Sequence, residues 1–133
     1  MNELKNLQIC TTIEQSKRLL KLGLKPETAD MMHTIMKGRL SVILVLQGDD
    51  FVEYPDTPAW SLHRLILLCP NTGVLTITKG AVEYQGLINY QVKEEDGFFG
   101  KQGNDIYGNL LDCVEWLIKK GYFPKEHLIK KEQ

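Results

Sequence analysis

The side chains of this 133-residue chain best suited to chemistry are three histidines, three cysteines and a run of carboxylates. Histidine titrates near neutrality without help, so His33, His63 and His127 come first as acid–base or metal-ligating groups. No HxH, HExxH or paired cysteine spacing brings two ligands together locally, and no metal site is expected. Asp49, Asp50, Glu53 and Asp56 could offer oxygens to a divalent cation, but the segment lacks the ligand alternation and central glycine of an EF-hand loop. A solvated connection is the plainer reading. Cys10, Cys69 and Cys113 are odd in number and contain no CxxC pair, which fits reduced thiols in a cytoplasm. Cys69 and Cys113 fall on apolar helix faces away from helix N-termini, where cysteine behaves as a small buried hydrophobe. No serine or cysteine can be placed beside His63, so no nucleophile–base pair, catalytic residue or cofactor is assigned.

Two stretches look built for contact. Gly97 to Gly103 has spaced glycines and Lys101, superficially like a phosphate-binding loop, but Gln102 stands where that pattern needs Ser or Thr, and the glycine spacing is too short. What survives is a loop displaying Phe98 and Phe99, which either stack on a ligand or fold back over their own core. In the second expected helix, Trp60, His63, Arg64 and Leu67 share the face opposite the core stripe at helical spacing. Either the acidic segment or the tail covers that stripe, or it is a dimer or partner interface, where Trp and Arg are enriched. The candidate binding surface is therefore Trp60, His63, Arg64, Leu67, Phe98, Phe99 and Lys101.

These residues depend on elements readable from pattern. Thr12 and Gln15 form a capping box for a helix over Ile13–Leu22, which Gly23 and Pro26 close. Met31 to Met36 and Leu40 to Leu46 flank Lys37-Gly38-Arg39 as a β-hairpin. Its second arm is apolar on both faces, which predicts a place in the middle of a sheet covered on each side. Thr57 as cap and Pro58 at the first helical position predict a helix carrying Leu62, Leu65, Ile66 and Cys69 on one face, ended by Pro70. Val74 to Thr78 and Ala81 to Val92 flank Lys79-Gly80 as a second hairpin, with a bulge at Gly86. Asn104-Asp105 begin the last helix, whose stripe is Ile106, Leu110, Cys113, Val114, Leu117 and Ile118. A short tail, 122–133, follows with one helical turn after Pro124 and a fraying basic end.

The class is α+β, with three helices and an antiparallel sheet of about four strands in the order α-ββ-α-ββ-α, in a single domain over 1–133. Pro26-Glu27-Thr28 recurs as Pro70-Asn71-Thr72, and Thr34 to Gly38 as Thr76 to Gly80. The general preference of turns for glycine and of helix ends for proline explains this more simply than an internal duplication.

Sixteen Lys plus Arg against seventeen Asp plus Glu exclude a broad basic surface for nucleic acid. A local patch built from Lys17, Arg18 and Lys21, with or without the tail lysines Lys119, Lys120, Lys125, Lys130 and Lys131, is the remaining route to such binding. No apolar run near the first residues reads as a signal peptide, and Val42 to Leu46 falls far short of the ~20 residues that span a bilayer. A cytoplasmic protein without membrane contact is expected.

At Thr11 to Lys17, Thr28-Ala29-Asp30-Met31, Pro58 to Leu62, and Glu115-Trp116-Leu117 to Gly121-Tyr122, the chain resembles a group of small proteins of gut Bacteroidetes and their phages or mobile elements. The segments 33–55 and 72–105 match no pattern of that group. The resemblance implies a common fold and a bacterial or phage accessory protein, and it brings no activity, cofactor or site residue. The leading expectation is a non-catalytic protein-interaction module, binding a partner or pairing as a homodimer. The alternative is a small-ligand protein or small enzyme with a site near residues 93–105, to which His33, His63 or the acidic segment contributes.

Overall fold

The computed structural model describes residues 8–45, 57–70, 73–78, 87–92, 98–101 and 105–129. The class is α+β: three α-helices accompany antiparallel strands. The chain groups into two compact units, residues 1–64 and 65–133.

In the first unit, α1 spans Ile13–Leu22. Gln15 N–H donates to Thr12 Oγ1 at 3.1 Å, and Thr12 N–H donates to Gln15 Oε1 at 3.0 Å, so the expected capping box satisfies two otherwise orphaned groups. Gly23 closes the helix with φ 107°, and Leu24 N–H reaches back to Leu19 O at 3.1 Å. Leu19 and Leu24, whose backbones this bond joins, are both fully buried. A 3-10 turn over Pro26–Thr28 leads into β1, Met31–Met36. β2, Arg39–Leu44, returns antiparallel with His33 opposite Val42 and Met36 opposite Arg39. The two-residue turn between them has positive φ at Lys37 (51°) and Gly38 (77°), the geometry whose twist matches that of the paired strands.

β3, Thr57–Ala59, pairs with the other side of β1, giving the sheet order β2-β1-β3. This corrects two expectations. Thr57 and Pro58 do not begin a helix; they lie in an edge strand, with Pro58 opposite Met32. Proline is tolerated on such an edge because its missing N–H costs no ladder bond there. Nor is β2 central: among the described residues it has one strand neighbour, β1. α2, Leu62–Leu68, begins in the first unit and ends in the second; it starts four residues later than Pro58 and is followed by Cys69 and Pro70. Its inner face is Leu65, Leu68 and the adjoining Cys69, while Leu62 and Ile66 are half-buried.

In the second unit, β4 (Gly73–Thr78), β5 (Leu87–Val92) and β6 (Phe98–Lys101) form an antiparallel sheet in that order. The described strands thus make two three-stranded sheets where about four strands in one sheet were expected. β6 arises inside the segment read as a glycine-rich loop, because Phe98 to Lys101 find a ladder on β5. The Lys79-Gly80 turn, the Gly86 bulge and the acidic segment from Asp49 to Asp56 lie outside the described residues. α3, Ile106–Lys120, packs on β5 and β6. Asp105 caps it by accepting from Gly108 N–H at 2.9 Å. Its buried face is Tyr107, Asn109, Leu110, Leu111, Cys113, Val114 and Leu117, broader than the expected stripe, whose Ile106 and Ile118 are half-buried. Phe123 holds the start of the tail in the core, and a 3-10 turn over Lys125–His127 follows Pro124 as expected. No helix among the described residues is long and apolar enough to cross a membrane.

Candidate functional site

The densest polar constellation lies in the first unit, where three sequence-distant segments, 11–16, 25–30 and 60–64, meet around Trp60. Thr11 N–H donates to Trp60 O at 2.9 Å, and Trp60 N–H donates to Thr11 Oγ1 at 3.0 Å. The indole Nε1–H donates to Thr28 Oγ1 at 3.0 Å, and that hydroxyl donates onward to Lys25 O at 2.6 Å. Thr11 Oγ1 also shares a 2.8 Å hydrogen bond with Ser16 Oγ. Asp30 receives both Ser61 N–H, at 2.8 Å, and Ser61 Oγ–H. Ser61 Oγ in turn accepts from Arg64 N–H at 3.1 Å, so Ser61 is the cap of α2 and Asp30 supplies a carboxylate at the positive end of that helix. Arg64 Nε–H donates to Thr28 O at 2.8 Å, tying α2 to the 3-10 turn. No buried side-chain nitrogen or oxygen among the described residues lacks a partner. Such a network, complete within itself, holds segments together.

Beside it stand Cys10, His33 and Asp30. His33 Nε2 lies 2.8 Å from Thr11 O and 4.0 Å from Cys10 Sγ. A carbonyl oxygen only accepts, so Nε2 carries the proton and cannot take one from the thiol. Burial pushes the Cys10 thiol above its ordinary value, and the Asp30 charge pushes it the same way. This is the reverse of what a thiolate nucleophile requires. In the second unit, burial pushes Cys69 up to about 12 and Cys113 higher still, with Cys69 adding to the effect on Cys113. Among the described residues, no group of three or more His, Cys, Asp or Glu side chains is arranged to hold a metal ion.

The residues expected to form one contact surface do not sit together. Trp60 precedes α2 and is wholly buried, so it leaves the stripe. His63 and Leu67 are exposed on α2, whereas Arg64 is half-buried by its bond to Thr28. Phe98 and Phe99 belong to β6, and the side chain of Phe98 lies outside the described residues. The Phe99 ring lies 6.0 Å from that of Trp116, which lies 5.7 Å from Tyr122, so Phe99 folds onto its own unit. Lys101 pairs with Asp112 at 3.0 Å. His127 lies edge-on to Phe123 at 6.2 Å, in the tail. Of the basic positions, Lys17 and Lys21 are exposed on α1, and Lys119 lies 3.8 Å from Glu115 on α3.

The surface that sequence reasoning missed is the β1–β2 hairpin. Ile35, Met36, Leu40 and Leu44 are 53%, 51%, 64% and 71% exposed, beside the basic turn residues Lys37 and Arg39. Toward its base the same hairpin is anchored, with Met31, Ala59 and Cys10 forming a buried cluster against which Val42 packs. Alternate residues share a face, so Leu40 and Leu44 flank Val42 on the face that Val42 and Met31 bury. The signal was present in the two-sided apolarity of the second arm, which a covered central strand and an uncovered apolar edge strand share.

No protein-family model, curated protein or solved structure matches the chain.

Proposed function

We propose that this protein is a small non-catalytic interaction module that docks a protein partner through its β1–β2 hairpin. One observation carries the reading: of eight large hydrophobic side chains more than half exposed among the described residues, four (Ile35, Met36, Leu40 and Leu44) lie on this one hairpin. Scattered apolar residues are normal on a surface; Ile35, Leu40 and Leu44 gather on one face of this hairpin, with Met36 at its end on the other, and such a grouping marks a contact site. The polar constellation around Trp60 serves the same end by fixing the sheet from which the hairpin projects. Protonated thiols and a His33 committed to a carbonyl support a non-catalytic role. Reduced cysteines and the resemblance to proteins of Bacteroidetes and their mobile elements favour a cytoplasmic accessory protein of a bacterium or phage.

The test is affinity capture from the source cells with three baits: wild type, Leu40→Lys/Leu44→Lys, and His63→Ala. A protein retained by wild type and His63→Ala and lost from the double variant is the expected result. An identical set on all three baits refutes the hairpin as the docking site.

A further inference from the structure

We infer that the occupant of this hairpin is a second copy of the chain, joined edge to edge through β2. The inference rests on the docking role proposed for the hairpin and adds the identity of the partner and the register of contact.

The direction of the main-chain groups comes first. In an antiparallel pair, directly opposed residues alternate between those that exchange hydrogen bonds and those whose N–H and C=O point away. Val45 N–H donates to Asp30 O at 2.9 Å, which sets the phase. Counting along the register, Ile43, Ser41 and Arg39 face β1, so Leu44, Val42 and Leu40 turn their main-chain groups to the outer edge. Among the described residues no strand pairs with β2 on that side. Donors and acceptors that meet no strand among the described residues, along a strand with no Pro or Gly, are a template for another strand.

The sequence of β2 then makes the edge self-complementary. An antiparallel pairing about a two-fold axis at Val42 sets Val42 opposite Val42 of the second copy, and Leu40 opposite its Leu44. All three outward-facing residues pair, with two main-chain hydrogen bonds for each of the three pairs. Directly paired residues have their side chains on the same face, so four leucines from the two copies, among the most exposed apolar groups described, cover one another. Moving the axis to Ser41 would set Leu44 opposite Gly38 of the turn and lose the leucine pairs. The charges are compatible as well. Arg39 faces Val45 of the second copy, and the two Arg39 residues stand roughly 20 Å apart at opposite ends of the paired strands, beyond the ~10 Å screening length. Such a contact has the closed two-fold symmetry that makes most homodimers.

Size sets the strength. Six residues of strand run about 20 Å, and a contact of that length roughly one strand deep buries on the order of 500 Å² in all, below the ~1,000 Å² of a stable interface. The expected dimer is weak and reversible.

Sedimentation equilibrium over a concentration series should show the average mass climbing from 15.2 kDa toward twice that value at high concentration. Leu40→Lys/Leu44→Lys should stay monomeric, its fold checked by circular dichroism. The register is read by oxidation. The Leu40→Cys/Leu44→Cys double variant brings thiols into opposition across the interface and should cross-link to a dimer, whereas each single variant leaves its thiols about four residues apart and should not. A wild type that is monomeric at all concentrations, with no cross-link, overturns self-pairing. If Leu40→Lys/Leu44→Lys nevertheless loses a captured protein, the hairpin docks a different partner and the docking role stands. If it changes neither mass nor capture, both readings fall. Equal cross-linking of single and double variants overturns the register.

Discussion

The indole Nε1–H of Trp60 donates to Thr28 Oγ1 at 3.0 Å, across 32 residues of sequence, in a fully buried setting. The hydroxyl passes its own proton to Lys25 O. This bond fastens the 3-10 turn before β1 to the corner between β3 and α2, and makes Trp60 the internal post of its unit.

Removing the acceptor should therefore cost more than one ordinary hydrogen bond. Thr28→Val strands the indole N–H and should lower unfolding free energy by about 1–3 kcal/mol. Trp60→Phe removes donor and volume together but leaves the Thr28 hydroxyl bonded to Lys25, while Trp60→Ala should cost about 3–5 kcal/mol. Urea denaturation followed by circular dichroism ranks the three; Trp60→Ala no worse than Thr28→Val would contradict the buried placement.

His33 makes a prediction about a proton. Because Nε2 donates to the Thr11 carbonyl, neutral His33 should be the Nε2–H tautomer, visible in the nitrogen chemical shifts of the imidazole ring. The Nδ1–H tautomer, with Nε2 free to accept from Cys10, would instead revive a thiol–imidazole pair. The same geometry predicts that Cys10 in the folded protein alkylates far more slowly than in the unfolded chain.

Cys69 links stability to alkaline pH. In the unfolded chain its thiol ionises near the ordinary 9.0, and in the folded chain burial holds the proton up to about 12. Between those values the folded state binds more protons, so the contribution is whole below pH 9 and falls as pH rises toward 12, by about 1 kcal/mol per unit near the middle of the window. Urea midpoints measured from pH 8 to 11 should decline, and Cys69→Ala should decline less steeply. Cys113 shifts in the same direction and adds to the slope.

The hairpin turn offers a gain. Lys37 occupies the left-handed region at φ 51°, where asparagine is better tolerated than lysine. Lys37→Asn should stabilise the protein by roughly 0.5 kcal/mol, since Asn-Gly is the favoured pair for this turn. Gly38→Val, placed at φ 77°, should destabilise it by more than 1 kcal/mol. Thermal melts distinguish the two signs.

Legibility followed the range of the interactions. The Thr12–Gln15 box, the Gly23 stop, the Lys37-Gly38 turn and the Asp105 cap were readable because each is decided within about four residues. The α3 stripe was readable too, since its 3.6-residue period repeats over four turns. Pro58 misled because a proline suits both the first turn of a helix and an edge strand, and only the Met32 neighbour on β1 selects the strand.

For the candidate site, residue type pointed to Trp60, His63 and the phenylalanines as contacts, whereas their fates depend on packing. Trp60 is buried because Thr11 and Thr28, from other segments, offer partners for its polar groups. Phe99 is covered because β6 finds β5 and Trp116 lies next to it. The apolar letters of β2 are identical whether the strand is central or at an edge; the neighbours it receives decide. Sequence by itself determined the α+β class, the ends of α1, the start of α3 and the first hairpin, all set by local backbone preferences and periodicity. Tertiary structure alone decided the division into two sheets, the burial of Trp60 and the exposure of Leu40 and Leu44, because each depends on which distant segments arrive to satisfy hydrogen bonds and cover apolar surface.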